Sequence, residues 1–93
     1  MSEVLFKNND KSGIFYIEKE NKTSGKLTFT YKAANKIVID HTEVDNSQNG
    51  KGFGKDLVKN AVDFAREKNL KIIPQCSFAK SVIENTPEFQ DVL

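Results

Sequence analysis

Ninety-three residues and 10.5 kDa allow one hydrophobic core and exclude a second domain or a long repeat array, so residues 1–93 are read as a single domain. A composition that is 38% hydrophobic, 10% aromatic and 29% charged is that of a folded globular protein rather than a disordered or fibrous one. Fourteen Lys and Arg against thirteen Asp and Glu leave a net charge of +1, which removes the basic field that non-specific nucleic-acid binding needs.

The single cysteine, Cys76, excludes an internal disulfide and a multi-cysteine zinc site, and it suits a reducing compartment. No apolar run approaches the roughly 20 residues that cross a bilayer, and Met1 to Asp10 lacks the apolar stretch of an export signal. These features predict a cytoplasmic protein, a monomer or weak dimer, with no membrane, nucleic-acid or metal partner. Asn21-Lys22-Thr23 matches a glycosylation sequon, which carries no weight in a chain that is not exported.

In chain order, Val4-Leu5-Phe6, Ile14 to Ile17, Leu27 to Tyr31 and Lys36 to Asp40 are runs of β-branched and aromatic residues, and each reads as a strand. Turn-forming clusters at Asn8-Asn9-Asp10, Asn21 to Gly25 and Ala33-Ala34-Asn35 separate them, so the strands should form antiparallel hairpins. Leu27, Phe29 and Tyr31 alternate with Thr28 and Thr30, which predicts a sheet with one face packed under helices. Phe15, Phe29, Phe53 and Phe64 are expected in the core or against a ligand.

Leu57, Val58, Ala61, Val62 and Ala65 recur at three- and four-residue spacing and predict an amphipathic helix of about four turns that stops at Lys68-Asn69. Leu70 to Ile73 is too short for a helix and reads as a strand ending at Pro74. The helix between two strands makes a βαβ unit with a parallel pair. Ser77 to Asn85 predicts a second helix with Ser77 as its N-cap, and Pro87 limits its continuation. Glu88 to Leu93 reads either as a helical turn or as a frayed end. The expected class is α+β: an antiparallel meander, a βαβ unit and a short C-terminal helix in one mixed sheet.

Gly50-Lys51-Gly52-Phe53-Gly54 stands between a strand and a helix, where three glycines cost backbone entropy. Such a segment brings backbone N–H groups to an anion at a helix N-terminus, and a pyrophosphate fits that geometry. The Walker loop is excluded, since it needs Gly at Asn49 and Ser or Thr at Asp56. The dinucleotide fingerprint is excluded as well, because Lys55 stands where its third glycine would be.

Asn49-Gly50-Lys51-Gly52-Phe53-Gly54 resembles the Arg/Gln-x-x-Gly-x-Gly/Ala loop of the GCN5-related N-acetyltransferases. His41-Thr42-Glu43-Val44 and Pro74-Gln75-Cys76-Ser77-Phe78 extend the resemblance to small single-domain proteins similar to that superfamily, over nearly the whole chain. The resemblance implies the GNAT-like α+β fold and acetyl-CoA as co-substrate. It places the co-substrate against Val44, Asn49, Gly50, Lys51, Gly52, Phe53, Gly54 and Lys55, with acetyl transfer to an amine by direct attack. Asn49 replaces the usual Arg or Gln, and Gln48 precedes it. The chain also shows strands where family members place helices between the first two strands, a region that helps bind the acceptor.

In that arrangement the thioester lies between the strand of His41 and the strand ending at Cys76. Imidazole is the side chain that exchanges protons near neutral pH, so His41 is the expected general base, with a strand N–H polarising the carbonyl. Cys76 is expected beside the thioester, as a proton donor to the departing thiolate or as a transient acyl acceptor. Glu43, two residues from His41, shares its strand face. The bland readings are a hydrogen-bonded strand histidine and a small apolar cysteine. Two other functions fit the same residues: a CoA- or acyl-CoA-binding module without catalysis, and an interaction domain whose glycines only shape a turn.

Overall fold

Alternating β-branched and aromatic residues build four antiparallel strands at the N-terminal end of the chain: β1 (Leu5–Asn8), β2 (Ser12–Lys19), β3 (Lys22–Ala33) and β4 (Lys36–Val44). The structure is a computed structural model that describes residues 4–45 and 52–93. Asn49, Gly50 and Lys51 of the glycine-rich segment, with Gln48, lie outside the described residues. After them come α1 (Phe53–Glu67), β5 (Lys71–Pro74), α2 (Ser77–Glu84) and a C-terminal 3-10 helix (Pro87–Val92). The strands form one sheet in the order β1-β2-β3-β4-β5, with β5 parallel to β4 and all other pairs antiparallel.

Several strands are longer than their apolar runs because tight turns let pairing continue to the hairpin ends. Lys19 pairs with Lys22 across Glu20-Asn21, both at positive φ (51° and 65°), the backbone of a two-residue primed turn. Thr23 to Gly25 therefore lies in β3 rather than in the turn expected from its composition. Between β1 and β2, Asn9 Oδ1 accepts hydrogen bonds from the backbone N–H of Lys11 (2.8 Å) and Ser12 (2.9 Å), an Asx turn.

Pairing sets the faces. Phe15 opposes Leu27 on the face that packs under α1, and Phe29 follows on that face; Ile14 opposes Thr28 on the other. The core cluster joins Phe15, Ile17, Leu27, Phe29, Ile37 and Ile39 of the sheet to Leu57, Val58, Ala61, Val62 and Ala65 of α1. Ala79 and Ile83 of α2 and Phe89 and Val92 of the 3-10 helix complete it. At the free edge of β1, Phe6 is exposed but rests on Phe15 (4.7 Å between ring centroids) and Phe64 (5.1 Å), closing an aromatic cluster around Phe29.

Helix α1 ends as its sequence indicates. Asn69 takes the left-handed conformation (φ 58°), and the N–H groups of Asn69 and Leu70 donate to Arg66 O and Ala65 O, a Schellman stop with Asn in place of Gly. Cys76 rather than Ser77 is the N-cap of α2: Cys76 is extended, its carbonyl accepts from Lys80 N–H at 2.9 Å, and Ser77 is already helical. The C-terminal residues are docked, not frayed. Arg66 holds Asp91 through Nε to Oδ2 (3.0 Å) and Nη2 to Oδ1 (2.7 Å) and also donates to Glu88 O, and Lys71 Nζ donates to Asp91 O at 2.7 Å. Among the described residues no helix is long and apolar enough to cross a membrane.

Two outcomes follow from this packing. Leu57 is 0% exposed in the core under the sheet, so Leu57→Ala is expected to lower unfolding free energy by about 2–5 kcal/mol in chemical denaturation. The guanidinium of Arg66 holds the Asp91 carboxyl below its ordinary pKa, although burial alone would raise it. The tie is therefore at full strength above the usual carboxylate range and is lost as pH falls through the lowered value. Hydrogen exchange should show the 3-10 helix opening in acid before β2 and β3, and Asp91→Asn should show the same opening at neutral pH.

Candidate active site

The site is made by one extra residue in β4. Phe29 opposes Ile39 and Thr28 opposes His41, so Asp40 is a β-bulge without a partner of its own in the ladder; its carboxylate accepts from Thr30 Oγ1 at 2.7 Å. The bulge turns the strand over. Before it, Ile37 and Ile39 face the core; after it, Thr42 and Val44 do, while His41 opposes Thr28 and Glu43 opposes Lys26 on the outer face. An unbulged strand would place His41 and Glu43 on the core side with Ile39.

At the same place β5 leaves the sheet. The β4–β5 ladder ends with Ile39 opposite Pro74, and Ile39 O accepts from the N–H groups of Gln75 (3.2 Å) and Cys76 (3.1 Å). Beyond that point β4 continues to Val44 while the other chain turns through Cys76 into α2. The resulting gap is bordered by Asp40 to Val44 on one side and by Cys76 on the other.

Two helix N-termini converge on this gap. A side chain at Gly54, in the first turn of α1, would place its Cβ 2.6 Å from the Phe78 ring in the first turn of α2, so glycine is what lets Phe78 lie against α1. Gly52, the N-cap of α1, is left-handed (φ 77°), and a Cβ there would meet nothing within 4 Å. Among the described residues no side chain caps α1, and its first intrahelical bond runs from Asp56 N–H to Gly52 O. The N–H groups of Phe53, Gly54 and Lys55 therefore have no partner within the helix, as an anion site requires.

Cys76 is half-buried at the start of α2. Burial pushes its thiol pKa up, but the backbone N–H of Ala79, the Thr42 side chain, the N–H of Phe78 and the Thr42 backbone together outweigh burial, and the net shift is down. Thr42 Oγ1 is buried and makes no hydrogen bond of ordinary geometry among the described residues. Such an orphaned hydroxyl costs about 1–3 kcal/mol.

The two candidate catalytic residues thus lie on opposite faces. Cys76 meets Thr42 on the core side, and His41 is exposed on the outer side, one residue along the strand. Glu43 shares the outer face with His41, as its spacing indicates, but its carboxylate is 3.9 Å from Lys26 Nζ. Val44 packs on the core, Phe53 is buried with Lys19 Nζ 5.2 Å from its ring centroid, and Lys55 is exposed on the first turn of α1. A groove of about 590 Å³ is lined by Ile14, Tyr16, Glu18, Lys26, Glu43 and Asp45 among others, and reaches β4 at Glu43, two residues beyond His41. No group of three His, Cys, Asp or Glu is placed to hold a metal among the described residues. Thr42 and Phe78 stood inside quoted motifs with no role assigned. Strand alternation gives no sign of a bulge, so nothing in the pattern aims Thr42 at Cys76.

A mixed sheet that opens between its fourth and fifth strands, beside an uncapped glycine-rich helix start, is the architecture of an acetyltransferase fold. The sequence model of the GCN5-related N-acetyl-transferase family matches residues 14–92, and the chain belongs to that family. It is 43% identical to a GCN5-like protein from Staphylococcus aureus, whose solution structure it matches with a TM-score of 0.74 over 99% of this chain and 89% of the other. An aminoglycoside acetyltransferase from an uncultured soil sample, solved with sisomicin, is 26% identical with a TM-score of 0.67 over 81% of this chain and 59% of its own. Protein NATD1 of human is 31% identical over 61 residues, 66% of this chain and 54% of that protein, and NATD1 of Xenopus tropicalis is similar to the same degree over 56% of its length. The chain thus spans little more than half the length of NATD1.

Proposed function

We propose that the protein is an N-acetyltransferase that moves an acetyl group from acetyl-CoA to an amine by direct attack. The observation that carries this reading is the gap in the sheet: it has an imidazole on one face, a thiol of lowered pKa on the other, and an uncapped helix N-terminus at its mouth. The N–H groups of Gly52 to Lys55, with Asn49, Gly50 and Lys51, are read as the pyrophosphate cradle, and Val44 and Phe53 as apolar walls beside it. A thioester in the gap presents its carbonyl to the exposed edge of β4, where a backbone N–H polarises it.

The two-faced arrangement suits the stereochemistry of transfer. An amine arriving from the outer face meets His41, which takes the proton that the nitrogen sheds as the N–C bond forms. The C–S bond breaks toward the core side, where Cys76 gives its proton to the departing thiolate. A thiol whose pKa lies below that of an ordinary thiol transfers a proton downhill to such a thiolate; the same shift raises its thiolate fraction, which an acyl-cysteine route would use instead. A reducing compartment, as the lone cysteine indicates, keeps that thiol available.

Thermal unfolding with acetyl-CoA tests the cradle. At a hundredfold excess over Kd, binding adds about 2.7 kcal/mol and should raise Tm by roughly 10 °C or more, whereas ATP and NAD should leave it unchanged. Gly52→Asn keeps a residue type that tolerates the left-handed region and should retain most of the shift. Gly52→Asp adds a carboxylate in front of the N-terminus and should abolish it while the free protein still folds. Equal shifts in the two variants would remove the phosphates from this helix start.

In a turnover assay over a panel of amines, His41→Ala should lower kcat by about 10²–10⁴-fold with acetyl-CoA affinity unchanged. Unchanged turnover would take the base role away from His41. Acetyl-CoA binding without transfer to any amine, in the unaltered protein, would instead favour the binding-module reading.

A further inference from the structure

Thr42 is the one described side chain with a buried nitrogen or oxygen that lacks a hydrogen-bond partner, with less than 1 Å² of its Oγ1 exposed. The bulge at Asp40 aims it at the core side of the gap, and the group it faces is the Cys76 sulfur. The groups that lower the pKa of that sulfur include the side chain and backbone of Thr42 from β4 and the backbone N–H groups of Phe78 and Ala79 from α2. A neutral thiol is a poor acceptor and leaves the hydroxyl unsatisfied, whereas a thiolate accepts strongly. The orphaned hydroxyl is thus matched to the ionised sulfur, not to the resting one.

We infer that Thr42 is the positioning residue for Cys76: its hydroxyl donates to the sulfur as the thiol gives up its proton, which makes Cys76 an acid fit to protonate the departing CoA thiolate. This rests on the acetyl-transfer reading for its purpose, but not for its chemistry. The step balances: the Cys76 S–H proton passes to the CoA sulfur, the electron pair stays on Cys76, and the resulting thiolate is held by Thr42 Oγ1–H and the two N–H groups of α2 until solvent reprotonates it. The first turn of α2 thereby serves a charge that exists only during turnover.

Because Cys76 is the only cysteine, its ionisation can be followed without an acceptor or acetyl-CoA, by the pH dependence of alkylation with iodoacetamide read by mass spectrometry. Thr42→Val keeps the shape and removes the donor, and should raise the alkylation midpoint by about one pH unit, the scale of one hydrogen bond to a charged group at a partly exposed site. Thr42→Ser restores the donor and should return the midpoint to that of the unaltered protein. A Thr42→Val midpoint equal to the original overturns the inference, as does a Thr42→Ser midpoint that moves with Thr42→Val, since loss of the methyl group would then be the cause. Thr42→Val also removes the penalty of a buried unsatisfied hydroxyl and should not lower Tm, and the acetyl-CoA-induced shift should stay in both variants as in the unaltered protein. A protein in which acetyl-CoA gives no shift, while the alkylation midpoints behave as stated, would contradict the acetyl-transfer reading and leave the Thr42–Cys76 pair standing.

Discussion

The site depends on one residue too many in β4. Without Asp40 as a bulge, the strand would keep its alternation to Val44, and His41 would be directed into the apolar layer that Ile37 and Ile39 occupy. With it, the strand presents a hydroxyl and a valine to the core side and an imidazole and a carboxylate to the outer side within four residues. The hydrogen bond from Thr30 Oγ1 to the Asp40 carboxylate holds the bulge on the outer face, beside the point where the parallel ladder to β5 ends. Bulge and splay together convert a continuous sheet into one with a slot through it.

The rest of the fold keeps that slot in place. The apolar stripe of α1 packs from Phe53 to Ala65 on the inner face, so its N-terminus is fixed next to the mouth of the slot. Gly54 lets the Phe78 ring close against that first turn, coupling the starts of α1 and α2. At the far end of α1, Arg66 anchors the 3-10 helix through Asp91, so the residues after α2 fold back on the core rather than trailing from it. Two uncapped helix starts facing one slot make its surroundings electropositive through backbone groups alone, in a chain whose net charge is only +1.

Much of this was legible in the amino-acid sequence. The period-two runs located the strands, the three- and four-residue spacing of Leu57 to Ala65 located α1, and Lys68-Asn69 marked its end. Three glycines before an amphipathic helix, together with the motifs at His41 and Pro74, pointed to the family. What was not legible came from effects that leave no periodic trace. A bulge alters which face a residue takes without altering composition, so Thr42 escaped notice and the opposite faces of His41 and Cys76 were not foreseen. The two-residue turn at Glu20-Asn21 lengthened β3 back through residues that read as loop. The N-cap of α2 fell on Cys76 because backbone geometry, not a capping side chain, starts that helix.

Amide chemical-shift mapping of the isotope-labelled protein during titration with acetyl-CoA tests the central claim most directly, because it reports each border of the slot separately. The account predicts that the largest changes fall on His41 to Asp45, Gly52 to Lys55 and Cys76 to Ala79, with β1 and the 3-10 helix unmoved. Saturable changes confined to other surfaces, or none at millimolar acetyl-CoA, would contradict it.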